Sequence, residues 1–342
     1  MSRIAVIGAG AWGTALAIVL GRKGSHQIRL WAHEKEVRES ISDHRINDLF
    51  LPGCPVPEAV IPTNDWGEAL AEAEIVVSVM PSHHCRTLFG EMHEFLTPQT
   101  QLVSATKGIE AESLMRMSEV IADSLQETRG FTPRIAALSG PTFAKEVARG
   151  DPTAITAASQ DAELAETVQR EFSDPGFRVY TNDDIVGVEL GGALKNIIAI
   201  AAGVCDGLGL GHNSTAALIT RGLAEITRLV VACGGRQETM AGLAGLGDLV
   251  LTCTGGLSRN RSVGVELGHG KKLPEIMAGM HGMVAEGVFT TGAAVGLARA
   301  RRVEMPITEQ MHAILHDGKS PSDAIRDLMM RSAKSESGLY RS

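Results

Sequence analysis

The stretch that decides the fold runs Ile4-Ala5-Val6-Ile7-Gly8-Ala9-Gly10-Ala11-Trp12-Gly13-Thr14-Ala15-Leu16-Ala17. A short apolar strand feeds a GxGxxG turn, and the turn opens an amphipathic helix. The three glycines serve different ends. Gly8 allows the tight turn, Gly10 lets backbone approach a pyrophosphate, and Gly13 lets the helix pack on the strand. The free N–H groups and the positive dipole end of the helix favour phosphate. A bare GxGxxG recurs by chance. One that follows an N-terminal strand and opens a helix is specific for a dinucleotide.

About 20 residues further on, NAD-specific sites carry an acidic residue at the tip of the second strand, where it holds the ribose 2′-hydroxyl. Here that region reads Leu30-Trp31-Ala32-His33-Glu34, with His33 at the tip. A side chain able to carry positive charge tolerates a 2′-phosphate, so NADP is favoured over NAD, with neither excluded. Read without a ligand, His33 is a solvated loop histidine.

Working outward, short apolar runs alternate with helical patterns up to about residue 184: Ile4 to Ile7, Ile28 to Trp31, Ile75 to Val79, Leu102 to Ala105, Ile135 to Leu138 and Ala154 to Ala157. This alternation predicts βαβ units and a mostly parallel sheet covered on both faces. After Tyr180 the pattern becomes helical and glycine-punctuated: Ile185 to Val204, Ser214 to Ala232, Arg259 to Leu267, Val284 to Arg301, Pro306 to Leu315 and Ser320 to Met330. The expected architecture is α/β, with a Rossmann-type dinucleotide domain over residues 1–184. An all-α substrate-binding and catalytic domain follows over 185–342, and the polar tail 332–342 is expected to fray.

Bulk properties fit two such domains. The chain has 342 residues, 44% apolar and 21% charged, and only 4% aromatic, so aliphatic residues must build the cores. A formal charge of −8 argues against nucleic acid as a partner. The five cysteines, Cys54, Cys85, Cys205, Cys233 and Cys253, are scattered without a CxxC pair, which suits reduced thiols in the cytoplasm. Apolar runs such as Ile197 to Cys205 fall short of the roughly 20 residues a membrane span needs. His83 and His84 are adjacent rather than spaced as ligands, and with no HExxH motif no metal is expected.

Several polar residues stand at glycine-rich ends of predicted elements. Lys107 follows the strand Leu102 to Ala105, and Ser139-Gly140-Pro141-Thr142 follows Ile135 to Leu138. Open α/β sheets place ligands at these carboxyl ends. Lys195 lies in the apolar helix Val188 to Ala199, where an ammonium needs a partner or must snorkel to the surface. Asp248, framed by small and apolar residues in Gly242 to Val250, is its natural partner in an acid/base unit, or else a helix cap. Ser258-Arg259-Asn260-Arg261 precedes a helix and offers two guanidinium groups to a phosphate, unless it is an ordinary basic helix start.

These same motifs resemble the bacterial-type NAD(P)-dependent glycerol-3-phosphate dehydrogenases over nearly the whole chain: GAGAWGTALA from Gly8, ATKGI from Ala105, LSGPTFAKEVA from Leu138, ELGGALKNIIAIA from Glu189, ITRGLAEITRL from Ile219, GLAGLGDLVLTCTGGLSRNR from Gly242 and MVAEG from Met283. The resemblance implies a homodimeric cytoplasmic oxidoreductase that interconverts dihydroxyacetone phosphate and sn-glycerol 3-phosphate for phospholipid synthesis. It assigns proton transfer to Lys195, a substrate contact to Asp248, and contacts with both substrate and cofactor to Lys107. Gly140 and Thr142 would line the substrate crevice, and Ser258, Arg259 and Asn260 would hold substrate, with Arg259 also touching the cofactor. Gly8, Gly10, Ala11, Trp12, Gly13, His33, Ala144, Val284 and Glu286 would meet the dinucleotide. Two departures stand out: Ala11 replaces a usual Ser, and His212 a usual Asp. A related β-hydroxyacid or ketopantoate-type reductase, and a non-catalytic dinucleotide-binding redox sensor, are the alternatives.

Overall fold

Ten strands and sixteen α-helices form in the computed structural model, which describes residues 2–280, 283–333 and 335–336. The expected frayed tail, 332–342, lies mostly outside those residues. The chain divides into two units: Met1–Lys107 with Met117–Ile185, and Gly108–Arg116 with Val186–Ser342. The short segment Gly108–Arg116 thus leaves the first unit and returns, an excursion that no periodicity marks.

In the first unit the strands are β1 (Ser2–Ile7), β2 (His26–Trp31), β3 (Ile46–Asn47), β4 (Leu51–Pro55), β5 (Val60–Thr63), β6 (Ile75–Ser78), β7 (Gln101–Ser104), β8 (Arg134–Ser139), β9 (Thr153–Ala158) and β10 (Phe177–Asn182). Eight of them form one sheet in the order β10-β9-β8-β7-β6-β1-β2-β5. Every neighbouring pair is parallel except β8 and β9. From β1 the chain runs outward to β2 and β5, then returns to fill β6, β7 and β8 on the other side. The order therefore reverses between β1 and β6, the point at which open sheets leave a crevice at their carboxyl ends. The helices are α1 (Ala11–Arg22), α2 (Lys35–His44), α3 (Trp66–Leu70), α4 (Cys85–Met92), α5 (Met117–Arg129), α6 (Ala144–Arg149) and α7 (Ala162–Phe172).

All six expected strands are present, and two further sheet members, β5 and β10, carry no apolar run to mark them. β5 contains Pro62 and lies at the sheet edge, where a missing N–H is tolerated. β10, at the opposite edge, alternates buried and exposed residues instead of running apolar. β9 is antiparallel to β8, with the short α6 between them in the chain. The helix α1, expected to be amphipathic, is buried from Gly13 through Gly21. It lies against β1, α6 and α7, so little of it is left for water.

The second unit is helical: α8 (Ile185–Gly207), α9 (His212–Ala232), α10 (Gln237–Met240), α11 (Asp248–Thr254), α12 (Arg259–Gly268), α13 (Leu273–Ala278), α14 (Glu286–Arg301), α15 (Pro306–His316) and α16 (Pro321–Met329). A π-helical turn, Leu243–Gly247, leads into α11. Ser320 caps α16: its hydroxyl accepts from the Asp323 N–H at 3.1 Å. With 23 residues, α8 is longer than its apolar runs suggested, and by length and composition it could cross a membrane. It is instead the buried centre of this unit. Leu190, Leu194, Ile197, Ile198 and Ile200 are each at most 1% exposed. At about 1.5–3 kcal/mol apiece, their burial outweighs the several kcal/mol that dehydrating one ammonium on the same helix costs. Helix α12 crosses α8 at backbone contact: a Cβ on Gly264 would stand 1.9 Å from the Ile200 carbonyl oxygen. That approach brings the N-terminus of α12 towards the middle of α8.

Candidate active site

In the first unit the glycine turn has the geometry its sequence demands. Gly8 has φ +114°, and a Cβ there would meet the Val79 carbonyl oxygen at 2.6 Å. A Cβ on Gly13 would meet the Gly8 carbonyl oxygen at 1.8 Å. Gly10 differs, since a Cβ there would meet nothing within 4 Å. It lines an open side and serves as N-cap of α1 without any side-chain cap. The first-turn N–H groups are therefore unspent on side chains, as a pyrophosphate cradle requires. The hydroxyl missing at Ala11 removes nothing from this backbone cradle. Trp12 is half-buried, and among the described residues its Nε1–H has no partner. The loop fits the dinucleotide on these grounds.

His33 is exposed just beyond β2, its ring 5.9 Å from that of Trp31, which stacks on Trp66 at 4.0 Å. At the carboxyl ends of β7 and β8, Lys107, Gly140 and Thr142 come together. Lys107 Nζ donates to the Gly140 carbonyl at 3.2 Å, and Thr142 Oγ1 donates to the same oxygen at 3.1 Å. Ala144 opens α6.

In the second unit the choices left open by the sequence resolve. Lys195 does not snorkel. Its side chain is 8% exposed, and Nζ stands 2.7 Å from Oδ1 of Asp248, which is 1% exposed. Asp248 is not a cap either: Gly247 holds that position, and Asp248 is the first residue of α11. Nζ of Lys195 also donates to Thr252 Oγ1 at 2.6 Å, and the Thr252 hydroxyl reaches the Asp248 carbonyl at 2.6 Å. Thr252 carries no sequence signal of its own, although its place four residues after Asp248 puts both on one helix face. Cys253 packs beside this pair, and burial pushes its thiol up to about 12.

The Ser258 to Arg261 cluster divides its work. The Ser258 hydroxyl caps α12, accepting from the Arg261 N–H at 3.2 Å. Arg261 was expected to offer a second guanidinium to phosphate, but it pairs with Asp206 at 2.5 Å and is structural. Arg259 remains: no carboxylate lies within ion-pair distance of it among the described residues. Although its surface is exposed, surrounding protein dehydrates it enough to push its guanidinium below the ordinary value, while Glu286 opposes that shift. Asn260 is buried, with Nδ2 donating to Asn196 Oδ1 and Oδ1 accepting from the Gly287 N–H, both at 3.0 Å. It ties α8 and α12 to the start of α14, where Glu286 is the first helical residue and half-buried Val284 stands two residues ahead. Glu189 and Glu225 are also buried carboxylates of this unit, without a sequence signature. Glu189 pairs with Arg116 at 2.5 Å. Glu225 accepts from the Ile307 and Thr308 N–H groups at the start of α15.

Comparison with known proteins agrees at every level. Residues 3–165 match the NAD-dependent glycerol-3-phosphate dehydrogenase N-terminus, and residues 184–326 match the corresponding C-terminus. The NAD(P)+ glycerol-3-phosphate dehydrogenase of Koribacter versatilis is 70% identical over 98% of this chain and 99% of its own. That of Acidobacterium capsulatum is 58% identical over 98% of this chain and 100% of its own. The crystal structure of glycerol-3-phosphate dehydrogenase from Coxiella burnetii superposes with a TM-score of 0.91 at 41% identity, covering 96% of this chain and 99% of that one. By class, then, the protein is an NAD(P)-dependent oxidoreductase. It belongs to the NAD-dependent glycerol-3-phosphate dehydrogenase family.

Proposed function

We propose that this chain interconverts dihydroxyacetone phosphate and sn-glycerol 3-phosphate, with Lys195 as the proton donor and acceptor. The observation that carries the reading is the buried Lys195–Asp248 pair at 2.7 Å, on the unit whose α12 begins with Arg259. When bound, NADPH or NADH supplies a hydride to the ketone carbon. Lys195 delivers a proton to the oxygen of that carbonyl, and its positive charge stabilises the alkoxide as it develops. Asp248 orients the ammonium from one side and Thr252 from another, so its reach is fixed before substrate arrives. Arg259 and the α12 N-terminus hold the phosphate, and Lys107, gathered with Gly140 and Thr142, adds a further contact. Ser258 and Asn260 serve mainly by fixing the start of α12.

On the cofactor side the assigned contacts are Gly8, Gly10, Ala11, Trp12, Gly13, His33, Lys107, Ala144, Arg259, Val284 and Glu286. His33, in place of an acidic residue, supports a preference for NADPH. The enzyme acts in the cytoplasm as a homodimer and supplies glycerol 3-phosphate for phospholipid synthesis. A nucleotide-binding redox sensor would have no use for a dehydrated ammonium–carboxylate pair. A substrate panel tests the reading. NADPH and NADH oxidation is followed by the absorbance of the reduced nicotinamide, with dihydroxyacetone phosphate, dihydroxyacetone and ketopantoate. Turnover should need the phosphate, and faster turnover of the carboxylate substrate would overturn the assignment.

A further inference from the structure

Asn47 is fully buried on β3, 38 residues from the glycine turn, yet it closes that turn. Its Nδ2 donates to the Ala9 carbonyl oxygen at 2.8 Å and to Thr14 Oγ1 at 2.8 Å, which uses both amide hydrogens. Its Oδ1 accepts from the Phe50 N–H at 3.0 Å, so the amide has one orientation that satisfies every group. The Thr14 hydroxyl passes its own hydrogen to Ala9 O at 3.3 Å. The anchor itself is held firmly. β3 pairs with β4, and the nearby Arg45, at φ 58°, donates to the carbonyls of Val56 at 3.1 Å and Val60 at 2.9 Å.

The consequence follows from peptide geometry. The Ala9–Gly10 bond is trans, so its C=O and N–H point in opposite directions. Asn47 and Thr14 pull the carbonyl into the protein. The Gly10 N–H is thereby turned outward, on the residue whose flank is open for at least 4 Å, and no described residue accepts from it. Were the peptide to rotate, two buried donors would lose their acceptor and a carbonyl oxygen would face the anionic ligand. We infer that Asn47 is a positioning residue for dinucleotide binding: by gripping the Ala9 carbonyl, it aims the Gly10 N–H at the cofactor pyrophosphate. This rests on the reading of the glycine turn as the cofactor cradle.

The test is Asn47→Asp, which keeps the shape but replaces both donated hydrogens with an acceptor, measured beside Asn47→Ala and the wild type. NADPH affinity by fluorescence titration and the NADPH KM should each worsen roughly tenfold or more, as befits losing one to two buried hydrogen bonds. The KM for dihydroxyacetone phosphate and kcat at saturating NADPH should stay close to wild type, while the melting temperature falls in both variants because buried hydrogen bonds are lost. A merely structural role would spread the loss over all kinetic constants. A folded Asn47→Asp protein that binds NADPH as the wild type does overturns the inference. Should both variants fail to fold, amide NMR of the wild type decides. Adding inorganic pyrophosphate must shift the Gly10 N–H while the Asn47 side-chain N–H signals stay protected from exchange; an unmoved Gly10 signal, or unprotected Asn47 protons, refutes it. Absence of NADPH binding by the wild type would instead overturn the cradle reading.

Discussion

Lys195 Nζ and Asp248 Oδ1 stand 2.7 Å apart with both side chains closed off from solvent, one in the middle of a 23-residue helix and the other at the first position of a 7-residue one. A buried pair of this kind is costly to break, because removing one partner strands the other charge in a poor solvent.

Asp248→Asn should therefore destabilise the protein by about 3 kcal/mol or more and lower kcat by about a hundredfold. Adding Lys195→Met to that variant should restore part of the lost stability, because no bare charge then remains buried. Urea unfolding of the two single variants and the double variant measures the coupling. Strictly additive losses would show that the pair does not act as a unit.

Among the described residues no carboxylate lies within ion-pair distance of Arg259, which leaves its guanidinium available to a phosphate. Arg259→Ala should raise the KM for dihydroxyacetone phosphate by roughly tenfold to a hundredfold, the range expected for losing a charge-assisted hydrogen bond. Arg261→Ala, by contrast, breaks the pair with Asp206 and should register mainly as lost stability. Steady-state kinetics beside thermal melting separates the two. Equal KM effects from both substitutions would contradict the division of labour.

Glu225 gives a prediction with a definite sign. Burial pushes its carboxyl from about 4.5 up to about 7, despite the Thr308 hydroxyl and the Ile307 and Thr308 N–H groups that favour the charged form. Between those two values the folded state holds the proton more firmly than the unfolded state. Stability from this group is thus full below about pH 4.5 and falls as pH rises to about 7, by an amount on the order of 3 kcal/mol. The stability difference between wild type and Glu225→Gln, taken from urea unfolding at a series of pH values, should change through that window and level off above it. A difference independent of pH would contradict the account.

Cys253 adjoins the Lys195–Asp248 pair but is only 1% exposed, with its thiol pushed up to about 12. At mildly alkaline pH it has almost no thiolate and no access to solvent, and the thiolate is the reactive form. Iodoacetamide treatment of the native protein followed by peptide mass spectrometry should leave Cys253 unmodified, with half-buried Cys233 labelled first. Rapid labelling of Cys253 would mean that the pair is open to water.

Much of this was legible in the residues because burial leaves a chemical signature. A charged residue framed by Gly, Ala and Leu, as Lys195 and Asp248 are, must either find a partner or reach water, and the choice between them was already narrow. The glycine turn was legible for a similar reason, since only glycine fits where a Cβ would strike backbone 2.6 or 1.8 Å away. What escaped notice depends on contacts between distant parts of the chain. Arg261 looks like a phosphate ligand until Asp206 at the end of α8 claims it. Asn47 carries no signal of its own until the fold brings it to Ala9. The edge strands β5 and β10 lack the apolar run of a central strand because one side of each has no neighbour.

The most direct measurement is single-turnover NADPH oxidation by wild type and Lys195→Met with saturating dihydroxyacetone phosphate, beside NADPH affinity by fluorescence for each. Lys195 is predicted to supply the proton, so the variant should bind NADPH as the wild type does yet lose turnover by about a thousandfold or more. A Lys195→Met protein that still reduces dihydroxyacetone phosphate at a rate near that of the wild type would contradict the account at its centre.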